Sequence, residues 1–155
     1  SNFDTQHQDL QNKIDYIHPS INGTNPSHGN AVAGAAAGDT DNGIGKSSIG
    51  FDSRLRLYGM DYNHILQASY DGCHVINMSW ASGCFFNSYY QNIINEVTDN
   101  GTVLVAAAGN GSTCGGPTEL VYPAAYDNVI AVSSIGAYDN HEDPPGKLLQ
   151  VMMSQ

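Results

Sequence analysis

Three observations predict an α/β fold built on a parallel sheet flanked by helices. Residues 75–79 (VINMS), 102–108 (TVLVAAA) and 129–133 (VIAVS) are short apolar runs of the kind that form buried strands. The stretches before and between them carry helical spacing, with Ile65, Leu66, Ser69 and Tyr70 ahead of Gly72, and Tyr89, Ile93, Ile94 and Val97 further on. A chain of 155 residues, 41% of them hydrophobic, suits one compact domain with its own core. Strand and helix alternate, which is the pattern of a parallel sheet with right-handed crossovers.

Taken in order, residues 1–30 read as irregular and polar, punctuated by Pro19, Gly23, Pro26 and Gly29. His28-Gly29-Asn30 then leads into residues 31–37 (AVAGAAA), a helix of small side chains ended by Gly38. A helix this narrow needs close neighbours to be stable, so it is expected to be buried. Residues 39–50 (DTDNGIGKSSIG) read as a loop, and 54–58 (RLRLY) alternates as a strand. Asn100-Gly101 is expected to close the second amphipathic helix, because glycine adopts the left-handed conformation such ends require. Residues 102–108 are apolar throughout and are expected to be buried on both faces. Residues 1–140 form the expected domain. The segment 141–155 differs in character: DPPGK reads as a loop, and LLQVMM is either one more strand or an unpacked end.

Five Lys+Arg against fifteen Asp+Glu give a net charge of −10, and charged residues make up only 13% of the chain. A surface that is acidic and poor in cations is repelled by phosphate, so neither nucleic acid nor an anionic membrane is expected as a partner. No apolar run approaches the ~20 residues of a membrane span. Cys73 lies against an apolar strand and reads as a small buried hydrophobe. Cys84 and Cys114 sit in loops rich in Gly, Ser and Asn. They suit a disulfide in an oxidising compartment, while three unpaired thiols are an equal reading of the same spacing.

Polar groups recur where parallel sheets build their sites, at strand ends and helix starts. His28 stands at the start of the small-residue helix, and Asn110 follows the end of the 102–108 run. A histidine able to move a proton and a carboxamide able to hold an oxyanion are equipment for acyl transfer. Taken singly, each has a plainer reading, a capping histidine and a turn asparagine with positive φ.

The order of four blocks resembles the subtilisin-like serine protease family. His28-Gly29-Asn30-Ala31-Val32-Ala33-Gly34 is similar to the family's H-G-T-x-V-A-G helix, and 75–79 to its V-I-N-M-S strand. Ala107-Ala108-Gly109-Asn110 followed by Tyr122-Pro123-Ala124 resembles its A-A-G-N and Y-P-A blocks, and FDTQHQDL its stretch ending in H-P-D-L. The resemblance implies a three-layer α/β/α serine peptidase domain, incomplete at both ends in this piece. It implies His28 as general base and Asn110 as oxyanion donor. Ser79, Trp80 and Ala81 would form one wall of the primary substrate slot and Ala107, Ala108 and Gly109 the other, with Trp80 as an aromatic lip. The natural partner is then a polypeptide substrate, or the remainder of the catalytic domain, and the protein is expected to be secreted, by a bacterium.

Several features depart from the pattern. The family's triad Asp would fall immediately before Ser1, and no Gly-Thr-Ser-Met-Ala nucleophile block occurs in these residues. Ser133, Ser134 and Ser154 have other surroundings. The chain alone is therefore expected to be inactive. A peptide-binding or structural relative that lost the chemistry is the rival reading. The loop 39–45 resembles the family's calcium loop, with Asn42 and Asp9 as side-chain ligands and backbone carbonyls of Thr40 and Ile44 beside them. An ordinary Asn-Gly turn at 42–43 is the alternative. No organic cofactor is expected. GIGKSS at 43–48 lacks the leading Gly of a phosphate loop, and the six histidines show no metal spacing.

Overall fold

A computed structural model describes residues 2–21, 26–111, 113–116, 119–135 and 150–154. Gly23 and the DPPGK loop lie outside them. The chain divides into two compact units, Ser1–His64 and Ile65–Gln155.

The first unit is built on a pair of parallel strands, β1 (Ile14–Ile17) and β2 (Leu55–Leu57), with Ile14 opposite Leu55 and Ile17 opposite Leu57. The Leu55 N–H donates to the Lys13 carbonyl and the His18 N–H to the Leu57 carbonyl, each at 2.8 Å, which lengthens the ladder by one bond at either end. β1 corrects the reading of residues 1–30 as irregular. Its four residues alternate half-buried and exposed, so the segment has too little apolar contrast to stand out from the polar residues around it. Between the strands runs α1 (Ser27–Ala37), which ends where expected, with the Gly38 N–H bonded to the Gly34 carbonyl. Burial of α1 is confined to Gly29, Ala33 and Ala37, a stripe with four-residue spacing, while Ala31, Ala35 and Ala36 are exposed. The expectation of a helix buried all round is thus corrected to one buried along a single face. The core of this unit gathers Leu10, Ala33, Ala37, Leu57 and Tyr62.

The second unit holds a four-stranded sheet in the order β3 (Val75–Met78), β4 (Val103–Ala107), β5 (Val129–Ile135), β6 (Gln150–Ser154). β3, β4 and β5 run parallel, with Val75 opposite Val103, Met78 opposite Ala106 and Ala106 opposite Ala131. β6 pairs antiparallel with β5, so the backbone of 150–154 resolves the choice left open for the end of LLQVMM in favour of a strand.

Two helices complete this part of the chain, α2 (Tyr62–Tyr70) and α3 (Ser88–Asp99). The Asn87 side chain caps α3 by accepting the Tyr89 N–H at 2.9 Å. Gly101, at φ +87, turns the chain from its end into β4. Ile94 and Val97 of α3 are fully buried, as are Met78, Leu104 and Ala106 on one face of the sheet. On the opposite face Val75 is 60% and Val103 45% exposed. The expectation that 102–108 is buried on both faces is therefore corrected, since α3 covers only the side chains that alternate toward it. Cys73 is half-buried, less enclosed than expected, because it lies in the turn ahead of β3.

Candidate functional site

Because β3 and β4 are adjacent, parallel and in register, their carboxyl ends deliver two short segments side by side. Ser79, Trp80 and Ala81 continue β3, and Ala107, Ala108 and Gly109 end or continue β4. Ser79, Trp80 and Ala108 are half-buried, while Ala81, Ala107 and Gly109 are exposed. The Asn77 side chain donates to the Ser79 hydroxyl at 2.9 Å and holds it at the strand end. Ala108 N–H donates to the Val132 carbonyl at 2.9 Å, which ties the second segment to β5. Apart from Trp80 the residues at both strand ends are small, which leaves backbone groups there accessible.

Asn110 follows this second segment and is exposed. The turn reading for it required positive φ, but Gly109 (φ +104) and Gly111 (φ +72) take that role and Asn110 does not. Its backbone N–H donates to the Thr113 hydroxyl at 3.2 Å. Thr113 adjoins Cys114, which forms a disulfide with Cys84 across a Cα–Cα distance of 5.5 Å. The pairing of the two loop cysteines, rather than three free thiols, is thereby decided, and Cys73 stays a thiol. A second tie lies beside the disulfide. Ser82 N–H donates to the Tyr122 carbonyl at 2.8 Å and Tyr122 N–H to the Gly83 carbonyl at 3.0 Å, an antiparallel bridge between the loops that follow β3 and β4.

His28 is the second residue of α1 and is exposed. The start of this helix is fixed by the chain before it: the Asp4 N–H donates to Asn30 Oδ1 at 2.9 Å, and a Cβ at Gly29 would lie 2.2 Å from the Asn2 carbonyl oxygen. His28 belongs to the first unit and Asn110 to the second.

Asp9 is 5% exposed. Its Oδ1 accepts from Asn42 Nδ2 at 3.2 Å and its Oδ2 from the Lys46 N–H at 3.4 Å, while its own carbonyl accepts the Asp39 N–H at 2.9 Å. Asn42 Oδ1 accepts the Ile44 N–H at 3.0 Å. The loop 39–46 thus folds around one buried carboxylate, and the structure brings Asp9 and Asn42 together. Among the described residues no three His, Cys, Asp or Glu side chains gather as a metal site. Any cation here would rely on Asp9 with amide and backbone oxygens.

The sequence profile described as the Subtilase family matches residues 1–145. The chain belongs to the subtilase family. It is 35% identical over 152 residues to Thermitase of Thermoactinomyces vulgaris, covering 88% of this subtilase chain and 53% of that protein. It is 40% identical over 119 residues to the Halolysin-like extracellular serine protease Nep of Natrialba magadii, covering 70% of this chain and 21% of that one. The structure of Sphericase superposes with a TM-score of 0.67 at 25% identity, over 98% of this chain and 55% of the other. The subtilase chain therefore spans about half, or less, of the length of the relatives it matches. No described helix is long and apolar enough to cross a membrane.

Sequence reasoning missed three parts of this candidate site: the Asn77 bond to Ser79, the Thr113 hydroxyl under Asn110, and the bridge between Gly83 and Tyr122. The first has a weak local signal, since residues two apart on a strand share a face. The other two join loops through tertiary contact and carry no spacing that a sequence would show.

Proposed function

We propose that this chain is the part of a subtilisin-like serine endopeptidase domain that carries the general base, the oxyanion donor and both walls of the primary substrate slot. The observation that carries the reading is the pair of adjacent parallel strands ending in Ser79, Trp80 and Ala81 and in Ala107, Ala108 and Gly109, with Asn110 next in line. An extended peptide laid between these ends would find backbone partners on either side, and one of its side chains would enter between the walls. In the assembled enzyme the His28 imidazole would take the proton of a serine hydroxyl as that oxygen attacks the scissile carbonyl. It would then hand the proton to the leaving amine. The Asn110 carboxamide would donate to the oxygen that becomes negative in between. These 155 residues contain no Gly-Thr-Ser-Met-Ala block, so this stretch would bind peptide without cleaving it.

Asp9, Asn42 and the carbonyls of Thr40 and Ile44 would hold a calcium ion. The fit rests on a buried carboxylate wrapped by one loop; its oxygens here accept from Asn42 Nδ2 and the Lys46 N–H, so the ion would displace these N–H groups and the Asn42 amide would turn its oxygen inward. The ion would supply rigidity to the loop after α1. An extracellular, bacterial setting is supported by the Cys84–Cys114 disulfide, by the relative named as extracellular and by the Thermoactinomyces relative. The partner is a polypeptide, and the charge of −10 argues against nucleic acid and anionic membrane.

The test is nuclear magnetic resonance of the labelled chain titrated with acetyl-Ala-Ala-Ala-Phe-amide. Shift changes centred on residues 79–81 and 107–110 are expected, with no hydrolysis of casein and no labelling by a fluorophosphonate. Perturbations elsewhere, or a serine labelled in this stretch, would overturn the assignment.

A further inference from the structure

The loop that carries Asn110 is rich in glycine, and the described residue that receives the Asn110 N–H is Thr113, through its side-chain hydroxyl. Thr113 is in turn held from outside the loop. Its neighbour Cys114 is covalently joined to Cys84, and Cys84 Sγ lies 3.9 Å from the Thr113 carbonyl oxygen. Cys84 is itself a fixed post. On one side Gly83 is bridged to Tyr122, and on the other Phe86 packs its ring 6.3 Å from Tyr122 and 5.8 Å from Tyr126. Both tyrosines are buried, their ring centroids 4.5 Å apart and their planes tilted by 52°, so the exposed Cys84 is anchored on either side to buried residues. A Cβ placed on Gly109 would lie 3.0 Å from Val121 and 3.4 Å from the Thr113 hydroxyl oxygen, so the second wall rests against the same residue.

We propose that the Cys84–Cys114 disulfide and Thr113 together form the positioning element of Asn110 and of the wall before it. The disulfide pins Thr113, and the Thr113 hydroxyl sets the backbone from which the Asn110 carboxamide projects. The inference rests on the peptide-slot reading for its consequence, which is that peptide affinity depends on the oxidation state of a bond that touches no substrate. Thr113, Cys84 and Cys114 are positioning residues and not catalytic ones.

The experiment measures hydrogen exchange at the Asn110 N–H together with affinity for acetyl-Ala-Ala-Ala-Phe-amide. It compares the oxidised chain, the chain reduced by a phosphine, T113V and T113S. In the reduction the two sulfurs become two thiols while the phosphine takes oxygen from water and leaves as its oxide. Reduction and T113V should each raise Asn110 exchange about fivefold, the population change one net hydrogen bond supports, and weaken peptide binding in step. T113S, which keeps the hydroxyl, should restore both. The Leu104 and Ala106 amides inside β4 report whether the sheet is intact. Unchanged Asn110 exchange on reduction, with those amides still protected, overturns the proposal. If reduction also opens β4, the disulfide-intact T113V chain decides alone: unchanged exchange there overturns it. Peptide bound by no form of the chain overturns the slot reading, while the exchange data still decide the positioning element.

Discussion

Gly45→Ala should loosen the loop around Asp9 and remove whatever stability a bound cation adds. Gly45 sits at φ +62, where an L side chain is strained by about 1–2 kcal/mol. A Cβ there would lie 2.1 Å from Asp9 Oδ2 and 2.5 Å from its Cγ, far inside contact distance. Relief requires the carboxylate to move by roughly an ångström, given that carbon–oxygen contacts sit beyond 3 Å. That movement breaks the bonds from Asn42 and Lys46, because Asp9 is buried and those are long already, at 3.2 and 3.4 Å. A hydrogen bond to a charged group is worth about 1.5–3 kcal/mol, and counting these two long bonds together as one such bond, the sum with the backbone strain is about 2.5–5 kcal/mol. At about 2–4 °C per kcal/mol for a chain of this size, the melting temperature should fall by at least about 5 °C. Thermal melts followed by far-ultraviolet circular dichroism, in calcium chloride and in chelator, read the effect. The parent chain should melt higher in calcium, by linkage, and the variant should melt equally in both. A variant melting within about 2 °C of the parent in chelator would refute the packing argument, since less than 1 kcal/mol would then be involved. A calcium response kept intact in the variant would refute the cation reading.

Two further outcomes are expected. Cys84→Ser with Cys114→Ser opens a loop whose ends are 30 residues apart, and the chain-entropy relation then gives a loss of about 3.6 kcal/mol, measured by urea denaturation of the two forms. On the acid side, the Arg54 hydrogen bond holds the Asp15 carboxyl below its ordinary value, helped by the charges of Arg54 and Arg56 and opposed by partial desolvation. Stability from this pair is therefore present above the ordinary carboxylate value and lost as pH falls through the depressed one. Asp15→Asn should flatten that part of the pH–stability curve by a small amount, as befits an exposed pair, and an unchanged acid limb would count against it.

The sequence by itself determined the parallel strands 75–78, 103–107 and 129–135, the helix before the first and the helix between the first two. Each rests on a local signal, whether apolar continuity, helical spacing or the glycine after Asn100. The order of motif blocks pointed to His28 at a helix start and Asn110 after a strand end, where such folds present polar groups, and the structure has them at those places. The structure brought residues 79–81 and 107–109 side by side through the register of β3 and β4. Tertiary structure alone decided the rest. β1 is stabilised by its partner β2 more than by its own pattern, so its four residues gave little warning. Burial of α1 and β4 on one face instead of two depends on which neighbours pack, and side-chain size cannot reveal that. The choice of Cys84 and Cys114 as partners depends on the approach of two loops across adjacent strands. Thr113 under Asn110 lies further still from any local rule. Its hydroxyl matters because the disulfide delivers it there, and a bond between loops leaves no period or spacing in the chain.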